Sequence, residues 1–168
     1  MKTIKSMLLF ALVGFFVSST IAQGDIVSAA DFMQLVKTDK SLVIIDASKA
    51  DTYKKSHIKN AINVPSGDVS QAGGAVDGLI KSPAELAELF GSKGITENSN
   101  IVVYDGGSQK YSSRVYWALK YIGAKNVKIL HKDMGMFKKS RVPLTPMPTK
   151  TKAATFNPTV NNALLADI

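Results

Sequence analysis

Past an apolar opening stretch, the chain alternates amphipathic segments with short, continuous apolar runs. Ser28 stands where an N-cap would, and Phe32, Leu35 and Val36 follow on one helical face. Ser41-Leu42-Val43-Ile44-Ile45-Asp46 is nearly unbroken in its apolarity, the pattern of a strand covered on both faces. A short polar helix is predicted over Ala50 to Ser56, then a brief strand over Ala61-Ile62-Asn63-Val64. Pro65 to Lys81 is rich in Gly, Ser and Asp and reads as loop. Ser82-Pro83-Ala84-Glu85 is a capping box with proline at the first helical position. Its helix runs through Leu86, Leu89 and Phe90 to a stop near Gly91 to Gly94. Ile101 to Tyr104 is the next buried strand, and Ser112 to Ile122 the helix after it, closed by Gly123. Val127-Lys128-Ile129-Leu130 is a further strand, with a short helix around Met134 to Lys138. Strands separated by helices predict an α/β domain, a central parallel sheet of about four to five strands with helices on both faces.

The two ends differ from this middle. Met1-Lys2-Thr3-Ile4-Lys5 is a positive n-region, Met7 to Val17 an apolar h-region, and Thr20-Ile21-Ala22 offers small residues for cleavage. The apolar run is short for a membrane span, so residues 1–22 are expected to be a secretory signal peptide, with an uncleaved anchor as the alternative. Residues 24–145 then form the domain. Residues 146–168 hold Pro146, Pro148 and Pro158 among Thr and Lys, and read as an extended arm. Phe156, Val160, Leu164 and Leu165 are the apolar exceptions there. The arm is expected to be irregular, with at most one helical turn and few contacts to the sheet.

Charge narrows the partners. The chain has 21 Lys and Arg against 13 Asp and Glu, a net charge of +8. Removing the leader takes Lys2 and Lys5 and leaves 19 − 13 = +6. These charges are scattered, apart from Lys138-Lys139-Ser140-Arg141, which argues against a nucleic-acid groove. A weak attraction for small anions is expected, and no membrane partner once the leader is gone. The chain contains no cysteine, so disulfide and thiol chemistry are excluded.

The stretch that bears chemistry is Asn100-Ile-Val-Val-Tyr-Asp-Gly-Gly-Ser-Gln-Lys-Tyr-Ser-Ser-Arg114-Val-Tyr-Trp117: a strand, a Gly-rich loop, a helix start. Together with His57-Ile58-Lys59-Asn60-Ala61-Ile62-Asn63-Val64-Pro65 and Asn126 to Leu130, it resembles the rhodanese (sulfurtransferase) family. The closer likeness is to the non-catalytic N-terminal domain of tandem thiosulfate/3-mercaptopyruvate sulfurtransferases. In that family the first loop residue is the cysteine that carries sulfur; here it is Asp105. A carboxylate cannot accept a sulfane sulfur, so the resemblance implies a module inactive alone and without a cofactor, while two histidines without a close acidic cluster predict no metal site. It also implies a catalytic second rhodanese domain as partner, reached through a linker resembling Phe156-Asn157-Pro158 to Leu165. Two departures stand out. The family's Asp-Gly-Gly turn and tryptophan after the last strand are replaced by His131-Lys132-Asp133 and Phe137. The Gly67 to Ile80 stretch keeps Asp68 and Asp77 but no histidine.

Asp105, Gly106, Gly107 and Arg114 are the site candidates. Asp105 places a negative charge among the loop's N–H groups and can satisfy them itself. Six residues, Gly106 to Tyr111, precede the expected helix, more than the family's short loops, which predicts a displaced cradle. Arg114 either pairs with Asp105 or holds an anionic substrate. His57 is a general base or a pin for the turn before a strand, and the pin is the simpler role. Asp46 is expected to bind nearby backbone, while Trp117 and Tyr121 at i, i+4 are core or interface aromatics. Three functions remain open: a silent half of an exported two-domain sulfurtransferase, an anion-binding or docking module, and a stand-alone enzyme. The missing thiol weighs against the third.

Overall fold

The computed structural model describes residues 24–73, 76, 78–131 and 141–165. The leader, Asp77, the helix expected around Met134 to Lys138 and the Lys138-Lys139-Ser140 cluster lie outside them. The chain enters as β1 (Ile26–Val27), α1 (Ala29–Thr38), β2 (Val43–Asp46), α2 (Ala50–Lys55), β3 (His57–Ile58) and β4 (Ala61–Asn63). After a 3-10 turn at Ser66–Val69 come α3 (Pro83–Ser92), β5 (Asn100–Tyr104), α4 (Lys110–Tyr121), β6 (Asn126–Leu130) and β7 (Leu144–Thr145). Five strands form one sheet in the order β1-β6-β5-β2-β4, with every neighbouring pair parallel. The expected α/β class and its parallel sheet are therefore present.

Local chemistry sets the helix starts. The Ser28 hydroxyl accepts from the Asp31 amide at 3.1 Å and begins α1. At α3 the Ser82 hydroxyl accepts from the Glu85 amide at 3.3 Å, while Glu85 accepts from the Ser82 amide at 2.9 Å. That closes the capping box, and Pro83 costs nothing where an N–H would go unpaired. The strands then alternate between two cores. Ile101 and Val103 of β5 face Leu86, Phe90, Val115 and Leu119, whereas Val102 and Tyr104 face Phe32, Tyr53 and Ile58. Each of these buried side chains contributes on the order of 1.5–3 kcal/mol.

The order of the strands creates the functional crevice. From β2 the chain steps to β4 on one side, and later to β5 and β6 on the other. The carboxyl ends of β2 and β5 therefore lie side by side at the reversal, where open α/β sheets bind ligands. In register, Asp46 pairs with Tyr104 across that gap. A small antiparallel pair, His57↔Thr145 and Ile58↔Leu144, flanks it. Two-residue strands leave no periodic signal, and that pair is not legible in the sequence.

The arm corrects one expectation. It is irregular apart from a 3-10 turn at Asn162–Leu164, but it packs against the domain rather than loosely beside it. Phe156 is 4% exposed, and its ring lies 6.3 Å from that of Phe90. The Ala154 amide donates to Gly91 O, the Thr159 amide to Ile122 O and the Asn161 amide to Tyr121 O, all within 2.9 Å. Glycines make this approach possible. A Cβ at Gly91 would stand 2.7 Å from Ala154 O, and one at Gly123 2.5 Å from Thr159 O. The arm thus seats on the C-terminal ends of α3 and α4. Val160 and Leu165 stay more exposed, at 37% and 42%.

Phe156→Ala is accordingly expected to cost about 3–5 kcal/mol, the range for deleting a buried aromatic. Gly123→Ala, at φ +91°, should unseat the arm as well. Thermal melting measures both, and hydrogen exchange should find the Ala154, Thr159 and Asn161 amides protected. A Phe156→Ala melt within about a degree of the parent would show the arm to be an appendage.

Candidate functional site

The site begins where β5 stops. Tyr104 is its last residue, and Asp105 turns into the loop with 8% of its surface exposed. Gly107 takes φ 108° and Gln109 takes φ 58°, so the backbone curls back towards the residue it left. The left-handed conformation at Gln109 is strained for a residue with a Cβ, the kind of local cost that a loop meets only when other contacts hold it. What holds it is Asp105. Its Oδ1 accepts from the Gly107 amide at 2.8 Å and the Gln109 amide at 3.0 Å. Its Oδ2 accepts from the amides of Tyr111 at 3.0 Å and Ser112 at 3.1 Å. The hydroxyls of Ser108 and Ser112 add contacts at 3.2 Å and 3.3 Å.

Four amides and two hydroxyls therefore converge on one carboxylate. Two of the amides belong to the first turn of α4, where the helix dipole also favours an anion. Burial pushes the Asp105 carboxyl up, but the Ser112, Gly107, Gln109 and Tyr111 amides outweigh it and hold it below the usual carboxylate range. This corrects the expectation of a displaced cradle. The helix starts at Lys110, two residues earlier than its pattern suggested, and the N–H groups do meet at a point. The expectation that Asp105 satisfies the donors itself describes what the geometry shows.

A second carboxylate lies beside it. Asp46 Oδ1 accepts from the Ser48 amide at 2.8 Å, and Oδ2 accepts from the Tyr104 hydroxyl at 2.7 Å. The Tyr104 oxygen in turn accepts from the Ile58 amide at 2.9 Å. Burial, reinforced by the Asp46 charge, pushes Tyr104 ionisation far above the ordinary phenol range, so it is a fixed donor here. His57 is 2% exposed and stacks on the Tyr53 ring at 3.6 Å. Its Nδ1 lies 2.7 Å from Tyr53 O and its Nε2 3.1 Å from Met147 O. Both ring nitrogens face carbonyl oxygens, which places His57 as a pin between α2 and the start of the arm. It is not free to act as a base.

Above Asp105 opens a cleft of about 260 Å³, at the reversal of the sheet. Gly106 and Gly107 border it on the loop side, and Ser48, Thr52 and Ser56 on the side of α2. Sequence reasoning missed these three hydroxyls and Tyr104. Tyr104 scans as a strand residue, and only the register against Asp46 gives its hydroxyl a task. Arg114 is not part of this cleft. Its guanidinium donates to Ser70 Oγ at 3.1 Å and to the carbonyl of Gly78. The expected ion pair with Asp105 is therefore not formed. The carboxylate is already saturated, and Arg114, in the second turn of α4, reaches across to the loop after Val69 and clamps it.

A five-stranded α/β sheet with a helix-opening loop wound around one side chain defines a domain built to hold a negative group at that point. The family model for the rhodanese-like domain matches residues 28–140, and the chain belongs to that family. It is 25% identical over 146 residues to the thiosulfate sulfurtransferase of Rattus norvegicus, covering 81% of this chain and 49% of that protein. The Bos taurus enzyme of the same name is 26% identical with the same coverage. Among solved structures, the 3-mercaptopyruvate sulfotransferase SseA of Escherichia coli superposes with a TM-score of 0.73 at 21% identity, over 81% of this chain and 55% of that one. Tum1 of Saccharomyces cerevisiae gives 0.67 at 19%, over 81% and 49%. At such identities the structures bear on the fold alone. The chain spans about half the length of the curated relatives it matches.

Replacing Asp105 by Asn keeps the shape but gives one side of the cradle an amide to face its donors. That is expected to cost about 2–4 kcal/mol, measured by urea unfolding at neutral pH. The pH dependence follows in sign. The folded pKa lies below the unfolded one, so Asp105 contributes fully above about pH 3.9 and loses that contribution as the pH falls through its folded value. The Asn variant should lack that part of the acid transition. Parallel stability curves for the two proteins between neutral and acid pH would disprove the assignment.

Proposed function

We propose that the chain is a non-catalytic rhodanese module, the N-terminal half of an exported two-domain thiosulfate/3-mercaptopyruvate sulfurtransferase. The observation that carries it is the cradle itself: six donors hold the carboxylate of Asp105 at the place where the family's pattern puts the sulfur-carrying cysteine. Sulfur transfer by this family's route needs a thiolate that attacks the sulfane sulfur and is left as a persulfide. The chain has no cysteine to supply one. A carboxylate already bonded by six donors is also a poor nucleophile, because each bond stabilises its charge where it stands.

The two-domain part of the reading draws on the length of the relatives. A catalytic rhodanese domain is the partner it calls for. Export, to a periplasm or outside the cell, draws on the leader pattern of residues 1–22. The alternative, an anion-binding or docking module, is less favoured at this site, since the donors an anion would use are taken. A weak pull on small anions remains a property of the basic surface.

Purified protein is expected to transfer no sulfur from thiosulfate or 3-mercaptopyruvate to cyanide; turnover above the buffer blank that survives repurification would overturn the reading. Asp105→Cys tests the cradle. Its thiol should titrate below the ordinary value of about 8.5, read from the pH dependence of alkylation by iodoacetamide. An ordinary thiol there would mean that the amides do not serve an anion in general. For export, alkaline phosphatase fused after residue 30 should be active in a bacterial host, and inactive when residues 1–22 are deleted.

A further inference from the structure

The cleft above Asp105 has walls of unlike character. Ile58, Tyr104, Leu130 and Leu144 give it apolar lining, with Leu144 60% exposed. Ser48, Thr52 and Ser56 add hydroxyl-bearing residues. Two carboxylates, Asp46 and Asp105, 2% and 8% exposed, border the cleft together with Gln109 and His131. Among the described residues no lysine or arginine lines it, and the nitrogens of the buried His57 are turned to carbonyl oxygens.

The consequence for a ligand follows from charge. An anion entering this space meets two carboxylates, while the backbone N–H groups of the loop already point at Asp105. A cation meets the same carboxylates as attraction, in surroundings less polar than water, where opposite charges a few ångströms apart act strongly. The apolar wall takes up a compact hydrocarbon body, and the hydroxyls can accept from an N–H rim. The bulk of the protein works in the opposite sense, because its net charge of +8 favours anions at long range. A preference for cations at the cleft would therefore be a local property of these two side chains.

We propose that the cleft binds a small organic cation with a compact apolar body, an amidinium or ammonium compound, in place of the sulfur anion that a thiol site would take. The proposal rests on the reading that a carboxylate occupies the thiol position, but requires no second domain. Three isosteric probes test it on the full chain: benzamidine, benzamide and benzoate. Calorimetry should find the benzamidinium cation about tenfold or more tighter than benzoate, with neutral benzamide between them. Added salt should weaken benzamidinium and leave benzamide unchanged. Amide chemical shifts should move at Ser48, Gly106 and Gln109. Leu144→Lys puts a positive charge at the exposed mouth without touching the cradle, and should weaken benzamidinium while strengthening benzoate. Asp105→Asn, if it folds, should narrow the gap between the two charged probes. Equal or preferred binding of benzoate, no binding of any probe at millimolar concentration, or shifts confined elsewhere would each overturn the proposal. None of these results depends on sulfur-transfer assays.

Discussion

The contact on which the local structure depends is the one between the Asp105 carboxylate and the backbone curled around it. A loop that takes positive φ at Gly107 and Gln109 has little reason to hold that shape in isolation. Its N–H groups point inward, away from water, and would be left unpaired without an acceptor at the centre. Two of them open α4, so the same carboxylate caps a helix from seven residues away, as far as Ser112. An ordinary N-cap side chain reaches two or three residues. Gln109, the residue in the cap position, makes no side-chain cap bond at all. The loop, the helix start and the floor of the cleft are thus one arrangement with one charge at its centre.

Much of the fold was legible in the sequence, and for physical reasons. Ile44 to Asp46 and Ile101 to Tyr104 are buried along their whole length, so the apolar runs that lead to Asp46 and Tyr104 have no polar interruption to confuse them. Ser82-Pro83-Ala84-Glu85 announces α3 because the capping groups of Ser82 and Glu85 find their partners in each other. What escaped is set by long-range contacts. The β3–β7 pair joins residues nearly ninety apart in two-residue strands, too short for any periodicity. Arg114 offers no local clue to its partner, since Ser70 and Gly78 come to it only through the path of the loop after the 3-10 turn. The ion pair expected from proximity in sequence failed for this reason: Asp105 had nearer donors in its own loop.

The arm shows the same division between local and distant information. Its prolines and polar residues correctly mark the absence of regular structure. They are silent on docking, which depends on features elsewhere in the chain. Gly91 and Gly123 scan as helix stops, and they are also the places where a bare backbone lets the arm's carbonyls approach within van der Waals range of a missing Cβ. Phe156 then enters the core next to Phe90 and becomes part of the same apolar cluster as Leu119 and Ile122. An extended chain with little internal hydrogen bonding can be well fixed if its partners are supplied by the surface beneath it.

The chain has no cysteine, and the occupied cradle bears on how its loop is held. A catalytic cradle must stabilise a negative charge that appears during reaction, and its donors are held ready at some cost when the charge is absent. Here the charge is permanent. The four amides and two hydroxyls are bonded at all times above the carboxyl's depressed pKa, so the convergence that would serve reactivity serves stability instead. Stability and activity at such a site pull in opposite directions, because a fully satisfied anion has nothing to gain from reacting. Asparagine would not reproduce this state, since half of its head group donates where the loop requires an acceptor. Glutamate would carry the charge one methylene beyond the point at which the amides meet. Of the two acids, aspartate is the one whose reach fits the loop, and its fit accounts for the order of the site.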